Sequence, residues 1–267
     1  MQTVPARLHV LLASNSPVGL VIRRGPSKQV VTLRWDRRTD EFTLGQWLKG
    51  RIYERRCDLS PDGKFFIYFA MNGKWRSEVR GSWTAVSRAP YLKAIALFPK
   101  GDCWNGGGLW SGNRTYWLNH YPDFEIMQNT NQVIHDPGYR SVVGGECLGV
   151  YYPRLIRDGW TLVQDGSNLA VFEKSAGSGW ILRKLAHSEC GKSGKGCYWD
   201  EHQLFHSKTG ARVHKPNWEW ADIDGERTVW AEGGKLHAGH TMAAGLTDEV
   251  VLFDFNDMRF EPIKAPY

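Results

Sequence analysis

The sequence predicts an all-β protein, and three observations favour this class. Thirteen Trp, ten Tyr and eleven Phe residues supply aromatic side chains, which pack well in strands. Short apolar runs recur along the chain between clusters of turn-forming residues, and the chain contains 29 Gly and 12 Pro residues. No segment keeps a helical period of apolar residues over several turns, so no helix is predicted.

The clearest element is a hairpin at residues 56–70. Its turn reads Ser-Pro-Asp-Gly, in which Pro61 presets φ, Asp62 can bond its own backbone and Gly63 accepts a positive φ. The aromatic run that follows, Phe65 to Phe69, is typical of a buried strand. The sequence therefore predicts a strand, a tight turn and a second strand here.

Similar strands are predicted before and after this hairpin, because apolar or alternating runs there end at turn residues. They cover residues 8–13, 18–23, 29–35, 41–48, 82–87, 91–99, 108–110, 115–118, 160–164, 168–172, 180–186, 198–206, 211–214, 218–223, 227–231, 235–238, 250–255 and 259–263. Residues 119–150 break this rhythm with a polar stretch containing Pro122, Pro137 and four Gly residues. We interpret that stretch as an irregular, loop-rich insertion.

The hairpins group into five repeats of roughly 50 residues, a period typical of β-propellers. The predicted repeats are 8–50, 51–90, 91–150, 151–216 and 217–264. A small sheet cannot bury its own faces, whereas sheets packed in a ring bury them against each other. The prediction is therefore a single β-propeller domain over residues 1–267, with five blades of four antiparallel strands.

The segment Leu59-Ser60-Pro61-Asp62-Gly63-Lys64 resembles the signature of TolB-type, WD-repeat-like propeller blades. In that family the motif marks the turn between the first two strands of a blade. The resemblance is degenerate at Asp165-Gly166 and at Asp222-Ile223-Asp224-Gly225, and poor at Lys100-Gly101-Asp102. It implies a fold and no particular function, because propellers host lectins, hydrolases and docking platforms alike.

Charge and cysteine content set expectations about partners and compartment. Residues 1–80 carry 15 Lys and Arg against 7 Asp and Glu, whereas the remaining residues carry 19 against 21. This basic third could bind nucleic acid or could be an ordinary solvated face. Five scattered cysteines favour reduced, mostly buried thiols and a cytoplasmic, bacterial-type protein. No signal peptide or membrane span is expected.

One cluster has the residue types of a zinc site, namely Cys190, Cys197, His202 and His206. Six residues separate the cysteines, which is more than the usual two to four, and the histidines lie on a predicted strand. Residues four apart on a strand are about 13 Å apart, too far for one metal ion. We therefore predict no metal, and no other cofactor.

Catalytic motifs are weak. Gly191-Lys192-Ser193 lacks the glycine that a phosphate-binding loop needs five positions earlier, because Ala186 stands there. Gly106-Gly107-Gly108 precedes a strand rather than a helix. The pairs Asp222/Asp224 and Glu219/Asp222 could serve a glycosidase, but acids near turns more often form the turn. A catalytic role is therefore not predicted.

Aromatic and charged residues near predicted strand ends are the candidate binding residues. They are Arg55, Arg56, Asp58, Trp104, Trp199, Asp200, Glu219 and Trp220. Tryptophan platforms suit peptides, sugars or unstacked bases, although such residues also pack between blades. The leading hypothesis is a non-catalytic scaffold that binds a protein or peptide at one end of the ring. The alternatives are a carbohydrate-binding or glycoside-hydrolysing propeller, and nucleic-acid binding by the basic third.

Overall fold

The computed structural model describes residues 4–26, 28–120, 124–141 and 143–267. Nearly all regular structure in these residues is β-strand, which confirms the predicted all-β class, and the strands form five sheets in chain order. The chain divides into two compact units, a larger one of residues 10–154 and 259–267 and a smaller one of residues 1–9 and 155–258. The prediction of one domain over residues 1–267 stays a prediction.

The first sheet is an antiparallel meander of four consecutive strands. In spatial order these are β1 (Arg7–Leu12), β2 (Val18–Arg24), β3 (Gln29–Asp36) and β4 (Glu41–Lys49). The second sheet runs β5 (Arg51–Ile52), β7 (Phe65–Met71), β8 (Ser82–Arg88) and β9 (Ala94–Pro99), with β6 (Asp58–Leu59) also paired to β7. The third consists of β10 (Gly108–Trp110), β11 (Thr115–Leu118) and β12 (Ile134–His135), and β12 is parallel to β11.

The predicted hairpin at residues 56–70 is confirmed as β6, a turn and β7. Gly63 has φ +74, a left-handed conformation that glycine adopts without steric cost. The Ser60 hydroxyl accepts the backbone N–H groups of Lys64 (3.1 Å) and Phe65 (2.9 Å) and donates to Asp62 (2.7 Å). The Ser-Pro-Asp-Gly segment thus satisfies its own polar groups, which is why its local sequence is sufficient to predict it.

Strand β7 is the centre of the larger unit's core, because residues 65–70 are all buried. Its even-numbered side chains, such as Phe66 and Tyr68, join an apolar cluster with residues of β1, β2 and β3. Its odd-numbered side chains, such as Ile67, pack with residues of β9, β10 and β11. A strand covered on both faces shows a continuous apolar run, as this sequence does.

Two predictions about the middle of the chain are wrong. Residues 148–157 form a helix, α1 (Leu148–Arg157), although no helix was expected; Gly149 and Pro153 obscure it in the sequence. The strand predicted to open the third repeat is β9, which pairs with β8 and so completes the second sheet. Most of residues 119–147 is irregular, residues 148–150 belong to α1, and residues 121–123 and 142 lie outside the described part of the chain.

The smaller unit contains two further antiparallel meanders. One consists, in order, of β13 (Thr161–Asp165), β14 (Leu169–Gly177), β15 (Trp180–His187), β16 (Trp199–His206) and β17 (Arg212–Lys215). The other consists of β18 (Trp220–Asp224), β19 (Arg227–Glu232), β20 (Lys235–Met242) and β21 (Gly245–Asp254). No helix among the described residues has the length and hydropathy needed to span a bilayer.

Candidate functional site

A short 3₁₀ turn, Glu54–Arg56, places two of the predicted binding residues inside the larger unit. Arg56 is only 2% exposed, and its guanidinium lies 5.0 Å from the ring centres of both Tyr53 and Phe69. Arg55 is also buried and lies 4.6 Å from the ring of Tyr151. The planar guanidinium group stacks well on aromatic rings, so these contacts hold both side chains in place.

The guanidinium group of Arg56 makes all of its hydrogen bonds and its ion pair with residues far along the chain. Its guanidinium donates to the backbone carbonyls of Cys103 (2.8 Å) and Asn105, and to the sulfur of Cys147 (3.2 Å). It also forms an ion pair with Glu146. Burial raises the pKa of the Cys147 thiol and the nearby Arg56 charge opposes that shift, so the sulfur is a neutral acceptor at pH 7.

The loop of residues 100–107 is held in one shape by these and other bonds. Gly107 has φ +76, and a Cβ there would lie 1.8 Å from the carbonyl oxygen of Arg56. The Gly107 N–H donates to the Thr84 hydroxyl (2.8 Å), and the Trp104 N–H donates to the Asp102 carboxylate (2.8 Å). The loop backbone is thus anchored on both sides of its tip.

His120 supports the same loop through Thr84. Its Nε2 lies 2.9 Å from the Thr84 hydroxyl oxygen. Burial, together with the Lys100 charge, lowers the pKa of His120 to about 4. The imidazole is therefore neutral at pH 7 and can accept the hydroxyl proton, while the hydroxyl oxygen accepts the N–H of Gly107.

Trp104, at the tip of this loop, is 64% exposed. Four other exposed apolar side chains lie on neighbouring segments of the larger unit, namely Trp75, Phe124, Ile126 and Met127. We call these five residues the aromatic edge. Large apolar side chains concentrated on one part of a surface are typical of interaction sites.

Specific contacts connect the segments that carry the aromatic edge. Residue 128 pairs with Leu97 of β9, and the ring of Phe124 packs edge-on against Phe98 (5.6 Å). Arg80 forms an ion pair with Glu125 and packs against the loop at Gly101. The segments at 75–81, 100–104 and 124–128 are therefore neighbours along the β8–β9 side of the second sheet.

Of the five residues of the aromatic edge, only Trp104 is among the binding residues predicted from the sequence. Phe124, Ile126 and Met127 lie in the stretch that we interpreted as a loop-rich insertion. The signal that could have identified them is a group of large apolar residues, Phe-Glu-Ile-Met, inside an otherwise polar irregular segment. No local pattern places that segment beside β9, because the pairing is between residues far apart in sequence.

Asp58 is a further predicted binding residue of the larger unit, and it is buried. Its carboxylate accepts the backbone N–H groups of Leu59 (2.9 Å) and Trp110 (2.7 Å), so it joins β6 to β10. The charged atoms of Arg55, Arg56 and Asp58 therefore contact the chain itself. A direct contact of any of them with a ligand stays a prediction.

The other predicted residues lie in the smaller unit. Trp199 is buried, stacks on His187 with ring centres 3.6 Å apart, and lies under the ammonium groups of Lys192 (4.2 Å) and Lys195 (4.9 Å). Its neighbour on the strand, Asp200, is partly exposed.

The last two predicted residues precede and begin β18. Trp220 is buried. The Glu219 carboxylate accepts the N–H of Leu8 (3.3 Å) and lies 3.6 Å from the guanidinium of Arg7. Both residues thus contribute to packing within the smaller unit, and their role in binding stays a prediction.

The cysteines considered for zinc form a disulfide between Cys190 and Cys197, so the expectation of reduced thiols is wrong for this pair. His202 is buried with Nδ1 2.8 Å from the Trp218 carbonyl oxygen, and His206 packs edge-on against Trp180. Among the described residues, no group of three or more His, Cys, Asp or Glu side chains could hold a metal ion. A disulfide is unusual in a reducing compartment, so the cytoplasmic location stays a prediction.

The smaller unit also has an open groove of about 570 Å³ along β13–β15. Its lining includes Thr161, Glu173, Lys174 and Trp180. Trp180 is only 5% exposed, so the groove does not offer the open aromatic face that a sugar ring stacks on. Lys174 forms an ion pair with Asp222, and Glu173 forms an ion pair with Arg183.

No family model and no curated protein sequence matches this chain. Among solved structures, that of Saccharomyces cerevisiae Sqt1 is similar with a TM-score of 0.34 and 10% sequence identity, over 99% of this chain and 91% of that chain. A similarity of this size carries no argument about function.

Proposed function

We propose that this chain is a non-catalytic interaction module, a five-bladed β-propeller that binds a protein or peptide partner through the aromatic edge. The five consecutive sheets support the propeller interpretation, because all but the third, in which β12 is parallel to β11, are small antiparallel sheets of the kind that forms a blade. The main support for the binding proposal is Trp104. This exposed tryptophan lies on a loop whose backbone is fixed by a hydrogen bond from the buried guanidinium of Arg56.

A fixed, exposed tryptophan is well suited to bind a partner. Its indole ring offers a large apolar area together with one N–H donor. Because the loop is already ordered, binding would cost little additional backbone entropy. Tryptophan is also among the residues that dominate the binding energy of protein interfaces.

One observation argues against each of the two alternative functions, which are carbohydrate binding or hydrolysis and nucleic-acid binding. The groove in the smaller unit lacks an open aromatic platform for a sugar, as described above. Three of the 15 basic residues in the first third of the chain, Arg23, Arg55 and Arg56, are buried and therefore not available to nucleic acid. Both alternatives remain predictions that a glycan array and a salt-dependent retention assay on DNA or RNA can test.

The test compares affinity capture by the unchanged chain, by Trp104→Ala and by the control Val213→Ala, which removes an exposed apolar side chain from β17. A partner retained by the control and lost by Trp104→Ala is then purified and titrated directly. We expect at least a tenfold loss of affinity, the effect of one interface tryptophan worth more than about 1.4 kcal/mol. If no captured partner depends on Trp104, the proposed surface is wrong.

A further inference from the structure

A second surface of the larger unit is built around the turn of residues 88–93, which connects β8 to β9. The Thr32 hydroxyl donates to the carbonyl oxygen of Pro90 (2.5 Å). Gly45 allows this approach, because a Cβ there would lie 2.3 Å from the same oxygen. The turn is therefore seated on the first sheet by residues of β3 and β4.

Gln46 of β4 fixes the far side of the turn. Its side-chain oxygen accepts the backbone N–H groups of Leu92 and Lys93, both at 2.8 Å. Arg88 is fixed separately, because its guanidinium donates twice to the side-chain oxygen of Gln132 (2.9 and 2.6 Å). These bonds use only residues between 32 and 132, and we call the surface that they form the 88–93 groove.

Residues 259–267 lie in this groove without forming a helix or a strand, so the strand predicted at residues 259–263 is wrong. The amide of Gln46 donates to the carbonyl oxygen of Ile263 (2.7 Å). The ring of Phe260 packs against Trp47 (5.8 Å), and the ammonium of Lys49 lies 4.7 Å from its centre. The segment is thus held by one backbone contact and one aromatic contact at its first half.

Tyr267 makes the most specific contacts of the segment. Its hydroxyl accepts the backbone N–H of Arg88 (3.1 Å) and donates to the backbone carbonyl of Lys93 (2.7 Å). The cationic groups of the same two residues lie 4.9 and 5.3 Å from the ring centre, and Tyr91 packs edge-on against it. The groove therefore recognises both the ring and the hydroxyl of this tyrosine.

We infer that the 88–93 groove is a peptide-binding site that residues 259–267 occupy in cis. Its ligand class is an extended, proline-containing peptide with aromatic residues seven positions apart. Pro262 and Pro266 keep the segment extended at low entropic cost, as in other grooves that bind proline-rich peptides. The inference does not depend on Trp104 or on the aromatic edge.

The test uses the full chain with the segment released by the double substitution Phe260→Ser and Tyr267→Ser. A fluorescent peptide with the sequence of residues 259–267 is titrated into this variant and into the unchanged chain, and anisotropy is measured. In the unchanged chain the tethered segment competes at an effective concentration on the order of 1 mM. We therefore expect the released variant to bind the peptide at least tenfold more tightly.

Two controls make the result specific. Adding Gln46→Ala to the released variant should weaken peptide binding at least tenfold, whereas adding Gln164→Ala, which removes an exposed glutamine of β13, should leave it unchanged. A peptide with both aromatic residues replaced by serine should not bind. Absence of saturable binding to a folded released variant, or equal binding with Gln46→Ala, would overturn the inference.

A second measurement keeps the test decisive if the released variant does not fold. Excess free peptide is added to the unchanged chain, and trypsin cleavage after Lys264 is followed by mass spectrometry. Displacement of the segment should accelerate that cleavage, with no change for the serine-substituted peptide. An unchanged cleavage rate over the whole titration would also contradict the inference.

Discussion

Replacing Arg56 by methionine tests how the loop of residues 100–107 is held. The substitution keeps an unbranched side chain near Tyr53 and Phe69 but removes every polar contact of the guanidinium. The carbonyls of Cys103 and Asn105 lose their donor, and Glu146 loses its ion-pair partner. All of these groups are far from Arg56 in sequence, so the change acts on tertiary structure alone.

The structure indicates a large cost for this substitution. Removing one partner of a buried ion pair typically costs about 3–5 kcal/mol, because the other charge is left without compensation. The side chain of Glu146 is 20% exposed, so it regains part of its hydration, and we expect a value near the lower end, about 3 kcal/mol. The control Arg38→Met removes an ion pair with Asp36 whose arginine is 72% exposed, and should lower the free energy of unfolding much less than Arg56→Met does.

Urea unfolding followed by tryptophan fluorescence measures both free energies of unfolding. Trypsin cleavage after Lys100 reports on the loop itself, and should be faster in Arg56→Met than in Arg38→Met. If Arg56→Met is as stable as the control and its loop is cleaved no faster, Arg56 does not anchor the loop.

Three further outcomes are expected from urea unfolding. Gly107→Ala should lose at least about 1–2 kcal/mol, because φ is positive there and the added Cβ meets the carbonyl of Arg56. Burial lowers the pKa of His202 to about 4, so stability should fall as pH drops from about 6.5 to 4, by up to about 3 kcal/mol, and His202→Gln should remove that part of the pH dependence. The double substitution of Cys190 and Cys197 by serine should cost about 2 kcal/mol.

Each of these outcomes has a matched check. Gly225→Ala has φ +61 and no neighbour within 4 Å of the added Cβ, so it isolates the backbone cost, and an equal loss at both glycines would contradict the contact with Arg56. For His202, the slope of stability against pH in that range must differ between the unchanged chain and His202→Gln. For Cys190 and Cys197, alkylation of both thiols without a reductant would show that the disulfide is absent.

The sequence by itself determined the elements whose interactions are local. The turn at residues 60–63 forms because Ser60 and Asp62 make hydrogen bonds within it and Gly63 accepts a positive φ. Most of the strands can be predicted from apolar runs between turn residues. Trp104 could be predicted as a candidate because an aromatic residue beside turn formers is visible locally. Trp104 is exposed at the tip of its loop, and its role in binding stays a prediction.

Only the tertiary structure determined the remaining features of the fold and of the candidate sites. The contacts that form them join residues that are far apart in the sequence. Nothing near Arg56 in sequence shows that its guanidinium supports residues 103 and 105, or that residues 124–128 lie beside β9. Helix α1 contains Gly149 and Pro153, which both lower the intrinsic helix propensity of this segment. The helix is therefore stabilised by its buried position and not by its local sequence. The 88–93 groove depends likewise on contacts between β4, one turn and a segment more than 160 residues away.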